Sequence, residues 1–208
     1  MPLIDNIRID NNTQLLIWKV TEALEELIAG VSLNEEQKEK YDSIKLESNK
    51  KNFLVTRQIL KGLNYQTDDL SYDESGKPVL KNGKSISISH SFDMVAVIIS
   101  SSAKVGVDIE KKRDKILRVS EKFTQWDYRN TSLSNHSIMQ KLTMIWSAKE
   151  AAYKAYGKPE ITANHIFVKD FFPNDTNTNV KVSHNNKHTF YKINFMQFKE
   201  FVLAYCML

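Results

Sequence analysis

The sequence predicts an α+β protein of two lobes, and three observations carry that reading. Apolar residues recur at helical spacing over 50–63, with several short strand patterns behind them. A second helical run covers 137–156, again followed by strand patterns. Helix then hairpin thus occurs twice, at 50–100 and 137–207, although no residue-level repeat links the two. The boundary is expected near residue 104, giving an N-terminal lobe over 1–104 and a C-terminal lobe over 105–208.

Residues 14–20 read as a largely buried strand, and Thr21 is expected to cap a short helix ending near Ile28. Residues 31–49 are polar and charged, with no clear element boundary. From Lys50, the residues Phe53, Leu54, Ile59, Leu60 and Leu63 form an apolar stripe, and Gly62 and Asn64 act as stop signals. Gly76-Lys77-Pro78 and Asn82-Gly83 mark turns. Three strands follow. Ile86 and Ile88 alternate with serines, Met94–Ile99 is continuously apolar, and Val105, Val107 and Ile109 alternate with Gly106, Asp108 and Glu110. Their short connections predict an antiparallel meander. Thr124-Gln125-Trp126-Asp127 resembles a capping box. The helix over 137–156 ends at Gly157, with Pro159 just beyond. The asparagine-rich segment 173–189 predicts a loop or hairpin tip, and strands over 190–196 and 200–207 close the chain.

The 208 residues include 29 Lys plus Arg against 25 Asp plus Glu, a net charge of +4 and a pI near 8.9. That mild basicity favours an anionic partner without naming one: nucleic acid, a phosphorylated small molecule or an acidic protein. A dense basic stripe with interleaved aromatics is missing, so nucleic acid is not expected. No apolar run approaches the ~20 residues of a membrane span. The N-terminus, with Arg8 and Asp10 close behind it, lacks a secretory layout. One cysteine, Cys206, rules out an internal disulfide. The chain is therefore expected in the cytoplasm. His136, His165, His184 and His188 show no zinc spacing, and no phosphate-binding glycine loop or GxSxG elbow is present.

Strand alternation puts Asp108 and Glu110 on one face, with Gly106 beside them leaving room for a ligand to approach. Two carboxylates this close repel each other unless a cation lies between them, and oxygen ligands suit Mg²⁺. The plainer alternative is a strand end facing water. On the helix, Trp146, Glu150 and Lys154 stand at i, i+4 and i+8 and share one stripe. Glu150 and Lys154 read either as a surface ion pair or as a carboxylate and an ammonium in a cleft. Ala148, Ala151, Ala152 and Ala155 favour the cleft by keeping the helix slim. Ser89-His90-Ser91, closing the first strand, reads either as a plain Ser-rich turn or as a candidate phosphate cradle, with Lys77, Lys50, Lys51 and Arg57 as further cations; the helix carrying those last three reads equally as a solvated face.

Val-Gly-Val-Asp-Ile-Glu and Trp-Ser-Ala-Lys-Glu-Ala-Ala-Tyr-Lys resemble the two signature motifs of the 4′-phosphopantetheinyl transferase superfamily. The acidic anchors, 42 residues apart, suit that family, as does the order of the upstream segments. That order is similar to the larger surfactin-synthetase-activating type rather than the short trimeric holo-acyl-carrier synthases. The resemblance implies a monomer of two similar α+β halves related by a pseudo-two-fold axis, with coenzyme A as co-substrate between them. It implies a nucleotide side in the N-terminal lobe and a metal and catalytic helix in the C-terminal lobe. Asp108, Glu110 and Glu150 would bind Mg²⁺, and Lys154 would meet the pyrophosphate. Ser89, His90, Lys77 and Arg57 match positions that hold the nucleotide and its 3′-phosphate, with Lys50 and Lys51 beside them.

The reaction so implied is attack by a serine of an apo acyl or peptidyl carrier protein on the phosphorus next to the pantetheine, releasing 3′,5′-ADP. Glu150 is the expected general base, directly or through a metal-bound water, and competes in that role with its role as ligand. Two departures stand out: Lys158-Pro159-Glu160-Ile161 replaces a glycine-rich turn, and Asp127 stands for a glutamate. The alternatives are another Mg²⁺-dependent phosphoryl or nucleotidyl transfer enzyme, or an inactive coenzyme A-binding homologue.

Overall fold

Two apolar helix faces organise the chain, one in each of two compact units, Met1–Ala103 and Lys104–Leu208. The computed structural model describes residues 3–208. Met1 and Pro2, which open the segment read above for a secretory layout, lie outside the described residues.

The first unit begins with β1 (Leu3–Arg8), β2 (Thr13–Lys19), α1 (Leu24–Ala29), α2 (Glu35–Ser43) and α3 (Glu47–Gly62). β3 (Leu70–Tyr72), β4 (Pro78–Leu80), β5 (Ser85–Ser91) and β6 (Met94–Ser100) complete it. Its main sheet runs β1-β2-β6-β5, all antiparallel, and β3 pairs with β4. Leu54, Val55, Ile59 and Leu60 of α3 pack on Leu16, Trp18, Ile86, Val95, Val97 and Ile99. Thr21 does not cap α1. Ala23 stands at the N-cap, where its N–H donates to Glu26 Oε2. α2 was hidden in the polar segment because it shows almost no apolar stripe; Asn34 caps it by accepting from the Gln37 N–H at 2.9 Å.

The second unit holds β7 (Val105–Lys111), α4 (Lys115–Val119), α5 (Asn135–Tyr156), β8 (Ile166–Val168), β9 (Asn177–His184), β10 (Lys187–Gln197) and β11 (Phe201–Met207). Its sheet runs β7-β11-β10-β9-β8. The expected three-strand meander is therefore corrected: β5 and β6 form a hairpin, but β7 leaves them and pairs with β11. The expected loop over 173–189 is largely strand. Thr178, Val180 and Val182 of β9 are buried, while asparagines and a lysine alternate with them. Asn185 and Asn186 both have positive φ and make the tight turn into β10. No α-helix starts at Thr124. Its Oγ1 instead accepts from the Trp126 N–H in a local turn.

α5 starts at Ser134, whose hydroxyl accepts from the Ser137 N–H, and stops at Gly157 in the left-handed region. Its inner side is small. Ala148, Ala151 and Ala152 have no exposed surface, so the helix lies very close to β7. Gly106 is the contact point. A Cβ there would overlap the Ala151 carbonyl oxygen and stand 2.9 Å from Ala155 N. The glycine thus makes room for the helix backbone, not for a ligand as the sequence reading had it. Its register partner Cys206 is fully buried against the same residue, its thiol donating to the Ala151 carbonyl at 3.6 Å. Burial pushes that thiol up to about 12. Among the described residues no helix is long and apolar enough to cross a membrane.

Gly106→Ala is expected to lower stability by about 3 kcal/mol, because the backbone atoms it would strike cannot move aside cheaply. Gly62→Ala, whose new Cβ meets nothing within 4 Å, is expected to be neutral or slightly stabilising. Urea unfolding of both variants tests the difference.

Candidate active site

Because Gly106 sits against α5, strand alternation sends Asp108 and Glu110 to the same helix-facing side. Val105, Val107 and Ile109 lie on the other face and are buried there as well. Asp108 is 3% exposed, opposite Ala204 on β11. Lys154 reaches it from the last turn of α5: its Nζ donates to Asp108 Oδ1 at 2.9 Å and to the Val107 carbonyl at 3.0 Å. One turn earlier, Glu150 is half-buried. Burial raises its carboxyl pKa above the usual range, and the charge on Asp108 adds to this; Lys154 opposes the rise and Glu110 contributes further. Glu150 therefore senses both strand carboxylates. The stripe is completed by Trp146, whose ring packs on Phe123 at 5.2 Å between centroids.

The donors are three carboxylates, all hard oxygen ligands, with the Lys154 ammonium among them. In charge and ligand chemistry this fits a divalent cation such as Mg²⁺. As the side chains lie, no three His, Cys, Asp or Glu among the described residues converge closely enough to hold a metal ion. On Asp108 the cation in contact is the Lys154 ammonium.

The nucleotide-side candidates all belong to the first unit. Arg57 is buried rather than presented on a solvated face: its guanidinium stacks 3.3 Å from the Phe53 ring centroid and donates to the Phe53 carbonyl and to Gln37 Oε1. Burial lowers its pKa. Lys50 lies over the Tyr41 ring, and Lys51 pairs with Glu47 at 3.1 Å. Lys77 follows a turn in which its own N–H donates to Asp73 Oδ1. Ser89-His90-Ser91 closes β5, still in extended backbone: Ser89 and Ser91 are buried on one face, while His90 is exposed on the other.

Two lysines of α5 escaped the sequence reading. Lys141 is 5% exposed and pairs with Asp170 at 2.7 Å, over the Trp126 ring. Lys149 is 9% exposed and donates to the Ala163 carbonyl at 2.7 Å; burial brings it down to about 8. Each falls on an otherwise apolar helical face, the one available signal, which a lysine's long stem disguises.

Sheet, slim helix, acidic strand face and helix-borne lysine come together in the second unit. Residues 104–206 match the model of the family described as the 4′-phosphopantetheinyl transferase superfamily. The match spans Asp108, Glu110, Glu150 and Lys154, and it supports a transferase that handles phosphopantetheine. The chain has no match among the curated proteins.

A double-mutant cycle checks the pair at the centre of the site. Lys154→Met should destabilise the protein by leaving a buried carboxylate without its ammonium, and adding Asp108→Asn should recover part of the loss. A coupling energy of about 1–3 kcal/mol is expected from urea unfolding of the four proteins.

Proposed function

We propose that the protein transfers the 4′-phosphopantetheine group of coenzyme A to a serine of an apo acyl or peptidyl carrier protein, releasing 3′,5′-ADP. The observation that supports this reading is that Asp108, Lys154 and Glu110 all lie within electrostatic reach of Glu150, inside the segment that matches the family model. The order of segments around it favours the larger surfactin-synthetase-activating type, acting as a monomer of two similar halves in the cytoplasm.

Asp108, Glu110 and Glu150 are the residues that would hold Mg²⁺. Bound there, the ion would supply charge neutralisation for the pyrophosphate. Lys154, whose ammonium now rests on Asp108, would turn part of its charge to the substrate phosphate once the carboxylate has a second cation. Glu150 accepts the proton of the carrier serine. A carboxylate whose pKa is raised by burial is a better base than an exposed one, and its two oxygens allow it to serve ion and proton together. The serine oxygen then bonds to phosphorus as the bond to the departing 3′,5′-ADP breaks. In the first unit, Lys77, Ser89, His90 and Arg57 would hold the nucleotide and its 3′-phosphate, with Lys50 and Lys51 adding positive charge. The basic balance of the chain, +4 overall, suits encounter with an acidic carrier.

Incubation with coenzyme A, Mg²⁺ and a panel of apo-carrier proteins, followed by mass measurement of the carriers, tests the reading. Gain of one phosphopantetheine on at least one carrier is expected, with at least a hundredfold loss in Asp108→Asn and in Glu150→Gln. Mg²⁺ should also raise the thermal midpoint of the wild type but not of Asp108→Asn. Absence of any mass gain across the panel would sink the assignment and favour another phosphoryl transfer enzyme.

The buried setting of Arg57 changes what its removal should do. Arg57→Ala should lose stability through the lost stack on Phe53 as well as weaken coenzyme A more than 3′-dephospho-coenzyme A. Calorimetric titration with both ligands checks this, and equal losses for the two would remove Arg57 from the 3′-phosphate contact.

A further inference from the structure

A cleft of about 580 Å³ opens in the second unit between the 121–126 segment, α5 and the chain around β8. Its volume falls within the range of small-molecule sites, roughly 300–1,000 Å³. Its walls are mixed, with an apolar side that includes Phe123, Trp126, Ile145 and Phe171 and a polar, charged side that includes Lys149. Lys149 lines it too, next in sequence to Glu150 but turned about 100° away around the helix.

Charge in this cleft is unbalanced. The two acidic residues that line it are already matched, Glu121 to Arg129 at 3.2 Å and Asp170 to Lys141 at 2.7 Å. Lys122, Lys149 and Lys169 line it without an ion pair among the described residues. For Lys122 and Lys169, which belong to polar connecting segments, this means little. Lys149 is different, because it is nine-tenths buried and its ammonium has, among the described residues, a single hydrogen bond, to the neutral Ala163 carbonyl. A desolvated ammonium satisfied only by one carbonyl retains two N–H donors and an uncompensated charge, and an anion brought beside it would relieve both.

The geometry points to a second ligand site in this cleft, taking a small organic anion: a carboxylate head on Lys149 and an aromatic or aliphatic body against Trp126, Ile145 and Phe171. The apolar side selects such a molecule over inorganic phosphate, which would gain nothing from it. The site is separate from the Asp108 carboxylate cluster and stands or falls independently of the transferase reading.

Isothermal titration with 4-phenylbutyrate and its neutral analogue 4-phenylbutanamide tests this on the full chain, with the Trp126 indole N–H followed by NMR. The acid should bind at least tenfold more tightly than the amide and shift the Trp126 signal. Lys149→Met should abolish that preference and Lys149→Arg should keep it. Ile145→Trp, which fills the cleft while leaving the charge, should remove binding of both compounds, and Asp108→Asn should change neither. No binding of the acid, equal binding of acid and amide, or binding that survives Ile145→Trp each overturns the proposal. If Lys149→Met does not fold, the acid–amide comparison and Ile145→Trp decide it alone.

Discussion

The contact on which the second unit depends is backbone against backbone. β7 and α5 meet where Gly106 lies against the Ala151 carbonyl, with no side chain between them. That closeness fixes everything nearby. It sets Asp108 under the helix, brings Lys154 within 2.9 Å of it, and packs Glu150 where burial first, and the strand carboxylates after it, raise its pKa. A thicker helix would hold the same residues several ångströms apart, and the strand carboxylates would then face water. The alanines at 148, 151, 152 and 155 are thus part of the site's chemistry, although none of them carries a functional group.

Some of this could be read from the chain alone. The period of two in β7 and the period of 3.6 in α5 are both strong, so the carboxylate face and the Trp146-Glu150-Lys154 stripe were legible before any coordinates. Gly106 signals a need for space, but the sequence does not say which backbone approaches, and the occupant is the helix rather than a ligand. The partner of β7 was also hidden. Short links favour hairpins, yet β7 pairs with a strand almost a hundred residues later, a choice made by where the apolar faces must go. β9 was masked by its outward asparagines, since alternation is weak when the polar half consists of turn-forming residues.

The first unit teaches a different lesson. A helix carrying Lys50, Lys51 and Arg57 reads as a charged surface, but the place of each residue on it decides its fate. Arg57 folds back on Phe53 of its own helix and reaches Gln37 of α2, whereas the two lysines sit at the edge on Tyr41 and Glu47. Likewise Ser89 and His90, adjacent in sequence, lie on opposite faces because the segment is strand. Clusters of residue types in a sequence become clusters in space only when the local backbone lets them.

The sole cysteine closes the account of α5. With its sulfur sealed beneath the helix and its proton held until strongly alkaline conditions, Cys206 offers no thiolate to alkylating agents, oxidants or foreign disulfides at neutral pH. A thiol-selective dye added to a mixture of this protein and a thiol-bearing small molecule would therefore report on the small molecule alone, and storage in air would leave the chain free of disulfide-linked dimers.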